Sequence, residues 1–101
     1  MLIHFATYAL IWKTRPLLGH NVKTNIKRSL SALVGANYAT ARLTQLARQQ
    51  IEAIWRGLSA GEISQLDAWL MDQQMAAQGR AQIEWTYIRA TLTSIQQAGG
   101  P

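Results

Sequence analysis

Eight consecutive residues, Arg56-Gly57-Leu58-Ser59-Ala60-Gly61-Glu62-Ile63, stop one helix and start another, and they constrain this chain more than any other stretch. Gly57 is expected to supply the left-handed backbone that closes the first helix. Ser59 then caps the second helix, and Glu62, three residues on, returns a bond to the cap backbone. Leu58 and Ile63 take the positions of a hydrophobic staple across that cap. Stop, cap, box and staple agree, so a tight helix–helix hairpin is predicted here.

Helical periodicity extends on both sides of the turn. After it, Ile63, Leu66, Leu70, Gln74, Ala77, Ala81, Trp85, Ile88, Leu92 and Ile95 step by three or four without a slip, which reads as one helix over 60–97. Gly79 falls inside that run and reads as a weak point or kink rather than a chain reversal. Before the turn, Ile26, Leu30, Leu33, Ala36, Leu43, Ala47, Ile51 and Ile54 mark a helix over 22–56. Gly35 interrupts it, but Ser31, Gly35 and Ala39 form a strip of small side chains that would admit a neighbour, so the helix is read as continuous. Whether either glycine breaks its helix or only bends it stays open at the level of sequence.

Pro16, followed by Gly19 and Asn21, marks a connection after a short apolar helix over 1–15, and Gly99-Gly100-Pro101 should leave 98–101 as a loose tail. No strand pattern or long repeat is present. The expected fold is all-α, one domain built as a long antiparallel helical hairpin plus a short N-terminal helix. Arms of about 35 residues reach about 50 Å. Two such arms would leave apolar surface wet, so dimerisation into a four-helix bundle is the expected completion, with a bent, self-covering monomer as the alternative.

The chain has 101 residues, too few for a second domain, and its 49% apolar content is too high for a disordered one. Leu2 to Trp12 is apolar, yet eleven residues fall short of a membrane span, and Lys13 and Arg15 follow the run where a secretory signal would need charge before it. A cytoplasmic protein is expected. With no cysteine, thiolate metal sites and cysteine nucleophiles are excluded. His4 and His20, sixteen residues apart, do not make a zinc pattern, so no metal or cofactor is expected. The acids have ordinary explanations: Glu62 completes the cap, Asp67 sits early in its helix, and Glu52 precedes Arg56 by four residues in the favourable ion-pair order. Asp72 and Glu84 are left over. With no phosphate loop or hydrolase nucleophile motif, an enzyme is not expected.

Charge is lopsided. Residues 1–57 carry eight Lys and Arg against one acid, net +7, and residues 58–101 carry two against four, net −2. On a continuous helix Lys23, Lys27, Arg28, Arg42, Arg48 and Arg56 fall within a sector of roughly 160°, together with Tyr38, Gln45 and Gln49. A one-signed strip with a stackable aromatic suits the backbone of DNA or RNA. It also suits a merely solvated polar face or one paired with a partner's acids. No helix-turn-helix, zinc-finger or RNA-recognition pattern appears, so base-specific readout is not indicated. The expected function is a non-enzymatic helical accessory subunit or regulator that contacts nucleic acid, set in a larger nucleoprotein assembly. The alternative is a regulator that binds and occludes a protein partner through Phe5, Tyr8 and Trp12, aromatics being common in binding hot spots.

Overall fold

A computed structural model describes residues 21–101. The expected N-terminal helix, with Phe5, Tyr8, Trp12 and both histidines, lies outside the described residues. Within them the chain forms four helices and no strand: α1 (Thr24–Ser31), α2 (Thr40–Trp55), α3 (Ala60–Ala76) and α4 (Arg80–Gln97). The all-α expectation is met, with shorter helices than the periodicity implied.

Both long arms are broken at their glycines. The helix expected over 22–56 ends at Ser31 and resumes at Thr40, because Gly35 (φ 83°) and Asn37 (φ 61°) turn the chain through the left-handed region. The helix expected over 60–97 stops at Ala76, and Gly79 (φ 62°, ψ −134°) takes a backbone shape that a side chain would strain. That glycine reverses the chain. Across it Gln82 donates to the Gln74 carbonyl at 3.2 Å, Trp69 meets Trp85 edge-on at 5.5 Å, and Arg89 pairs with Asp67 at 3.1 Å. So α3 and α4 are antiparallel neighbours.

The predicted turn between α2 and α3 is present, and Ser59 and Glu62 form the complete capping box: the Glu62 N–H donates to Ser59 Oγ at 3.2 Å and the Ser59 N–H donates to Glu62 Oε1 at 3.1 Å. Gly57 plays a different part from the one expected. Its φ is not positive; α2 instead tightens through bonds from the Gly57 N–H to the Ile54 carbonyl and from the Leu58 N–H to the Trp55 carbonyl.

Three contacts show that α2 runs parallel to α4. Near their starts Arg80 donates to the Tyr38 carbonyl, Arg48 in the middle of α2 donates to Ser94 Oγ in the last turn of α4, and past their ends Gly100 approaches the Trp55 indole. α1 folds back along α2, tied by a 2.6 Å bond from Ser29 Oγ to Gln50 Oε1. The tail is tied down as well. Gly99 takes φ 81°, its N–H reaches the Gln96 carbonyl and that of Gly100 reaches Ile95, a Schellman stop in place of a loose end.

α4 is the central helix, with Trp85, Ile88, Leu92 and Ile95 buried against Leu43, Ala47 and Ile51 of α2 and Ile63, Leu66 and Leu70 of α3. Leu30 and Leu33 extend the core under α1 and the turn that follows. Most of the two stripes for which a second hairpin is expected is therefore buried within one chain. Trp69 and Trp85 are core residues too and Trp55 packs half-buried against the core, so three of the four tryptophans are accounted for by packing.

Candidate nucleic-acid interface

Breaking the 22–56 helix also breaks the register on which a single cationic strip depended. α1 sets Ser29 against α2, while Lys23 lines a small cleft with Leu58, Glu62 and Leu66 on the α3 side. Lys27, one turn after Lys23, lies on that same side and is half-buried. Arg28 points away from the buried Ile26 and Leu30. The structure thus separates Lys23 and Lys27 from the arginines of α2.

On α2 the expected face survives. Leu43, Ala47 and Ile51 turn inward, which places Arg42, Gln45, Gln49 and Arg56 on an exposed ridge at steps of three, four and seven. Arg42 donates to Gln45 at 3.0 Å, so two of the ridge side chains brace each other. Arg48 stands at the edge toward α4, where it bonds Ser94 at 3.1 Å and pairs with Glu52 at 3.4 Å. Glu52 therefore pairs backward with Arg48 rather than forward with Arg56. Tyr38 lies in the turn before α2, 36% exposed, with its carbonyl held by Arg80.

The acids of the described residues are mostly occupied. Glu52 and Asp67 are in salt bridges, Glu62 is in the cap, and Glu84 is buried, its Oε1 accepting the Gly35 N–H at 3.1 Å. Hydrogen bonds from Ser59, the backbone N–H first and the hydroxyl second, hold the Glu62 carboxyl below its ordinary pKa, and Lys23 adds a smaller push in the same direction against a little desolvation. By contrast Lys23, Lys27, Arg28, Arg42 and Arg56 join no salt bridge among the described residues. Residues 1–20 contain no Asp or Glu that could supply one.

Sequence reasoning missed two exposed side chains beside this surface, Tyr87 at 38% and Ile83 at 55%. The unbroken periodicity makes α4 the far half of a longer helix, with no reason to lie beside α2, so the sequence does not single them out. Among the described residues no three His, Asp or Glu side chains gather as a metal site would require, and no helix is long and apolar enough to cross a membrane. Comparison with protein families, with curated proteins and with solved structures yields no match.

Proposed function

We propose that this chain is a non-enzymatic helical subunit that binds nucleic acid through the outward ridge of α2, acting within a larger nucleoprotein assembly. One observation carries the reading: four of the five acids of the described residues are paired, capped or buried, Asp72 being the exception, while five cations of α1, α2 and their flanks stay outside any salt bridge, so the unpaired exposed charge is more one-sided than the composition. A face meant only for solvent gains nothing from such separation, whereas a polyphosphate releases counterions to it.

The homodimer expected from the sequence rested on stripes that one chain buries, so a single chain is taken as the binding unit. Sedimentation at two concentrations, with an 11.3 kDa species at both, is the expected result. Binding to labelled DNA and RNA should fall with salt, with a log–log slope of about −2 if Arg42 and Arg56 reach phosphates. Reversing two ridge charges, Arg42→Glu with Arg56→Glu, should abolish binding and leave the circular dichroism spectrum unchanged, since both side chains are exposed. Binding that ignores salt, or survives the reversal, refutes the reading. The occlusion of a protein partner by residues 1–15 is the competing reading; there, capture would persist after nuclease treatment.

A further inference from the structure

The part of the surface least like an ordinary solvated face is the seam where α4 runs beside α2. Ile83, Tyr87, Ala90 and Ser94 form one ridge of α4 at steps of four, three and four, and the bond from Arg48 to Ser94 fixes that ridge along the α2 edge. At its other end Arg80 holds the Tyr38 carbonyl, which sets the exposed Tyr38 beside the start of α4. Tyr87 comes seven residues after Arg80 and seven before Ser94, so it lies about 10 Å along the helix from each. Neither tyrosine hydroxyl makes a hydrogen bond among the described residues, and both side chains are more than a third exposed. Arg42, on the outward ridge, stays outside the seam. Of the nearby acids, Glu52 is paired with Arg48 on the α2 edge, and Glu84 is buried and turned to Gly35.

Exposed aromatic faces between guanidinium groups match unpaired bases attached to phosphates. A duplex keeps its bases stacked and offers only its backbone, so it would leave both rings unused. Resting on the nucleic-acid reading above, we propose that the α2–α4 seam takes single-stranded nucleic acid: bases stack on Tyr38 and Tyr87, and Arg48 and Arg80 hold the phosphates between and beside them.

Fluorescence anisotropy of the whole chain with a short oligothymidylate and with a duplex of equal length tests this. The single strand should bind about tenfold more tightly at equal salt, and Tyr38→Ala with Tyr87→Ala should remove that advantage while duplex affinity and the salt slope stay as they were. The paired Tyr→Phe variant should restore it, since stacking needs the ring and not the hydroxyl. On the unmodified protein, light-induced crosslinks from a 5-iodouracil strand should fall on the peptides bearing Tyr38 and Tyr87. Equal or tighter duplex binding, indifference to the alanine pair, or crosslinks confined to other peptides overturns the seam. If the ridge charge reversal still abolishes binding in that case, the broader reading stands without it. Failure to bind either probe at low salt overturns both.

Discussion

Three glycines look alike in the sequence and differ in the structure. At Gly35 and Gly79 a Cβ would meet nothing within 4 Å, so the obstacle to a side chain is the positive φ alone. Gly35→Ala should cost about 1–2 kcal/mol, the penalty of the left-handed region, and Gly79→Ala at least as much. Gly57 lacks a positive φ, and its Cβ would sit 3.8 Å from the Ile54 carbonyl, an ordinary contact, so Gly57→Ala should be neutral or stabilise by about 0.5 kcal/mol. Urea denaturation of the three variants reads this order directly. Glu84 shows how the missed turn could have been suspected. It was an acid without an explanation; it proves to be the side chain that receives the Gly35 N–H, with its second oxygen buried and unpartnered. Glu84→Gln keeps an acceptor for Gly35 and should fold within about 1 kcal/mol of the parent, whereas Glu84→Ala should lose about 2 kcal/mol in the same assay.

Helix ends were legible where their chemistry is local and illegible where it is not. The capping box at Ser59 is written in four adjacent residues, and it formed as read. The breaks at 32–39 and 77–79 were hidden because apolar residues on either side keep helical phase: Ala77 and Ala81 continue the stripe through a reversal, being small enough to fit a helix face or a turn. Two antiparallel helices that both face one core can preserve a single stripe, so periodicity identified the buried positions without the topology. The basic ridge of α2 was legible for the same reason, since it is the complement of an inward stripe on one unbroken helix. The seam was not, because it depends on α2 lying beside α4. Ser59→Ala should cost about 1 kcal/mol at neutral pH. Glu62 titrates lower in the folded chain than in the unfolded one, where a glutamate titrates near about 4.3, so its contribution is present above that pH and is lost as pH falls through the folded value. The stability gap between parent and Ser59→Ala should therefore narrow on acidification, as thermal melts across that range would show.

At the scale of the molecule the described residues form an α3–α4 hairpin with α2 laid parallel to its second arm and α1 folded back on α2. Parallel neighbours cannot be joined by a tight turn, and here the whole of α3 is the crossover. That feature sets an order of events. The pairs Gln74–Gln82 and Asp67–Arg89 are 8 and 22 residues apart in sequence, while Arg48–Ser94 and Gly35–Glu84 are 46 and 49 apart. Closing the shorter loops costs less chain entropy, so α3 and α4 zip outward from Gly79 and α2 docks on the finished pair. Leu70→Ala, inside the early hairpin, should then slow refolding, and Leu43→Ala, on the helix that docks late, should chiefly speed unfolding, a division that stopped-flow measurements across denaturant would resolve. It follows that the seam, with the arginine and the tyrosine that α2 and its preceding turn contribute, exists only after the slowest contacts have formed. An incompletely folded chain would carry the same charges and have no place to stack a base.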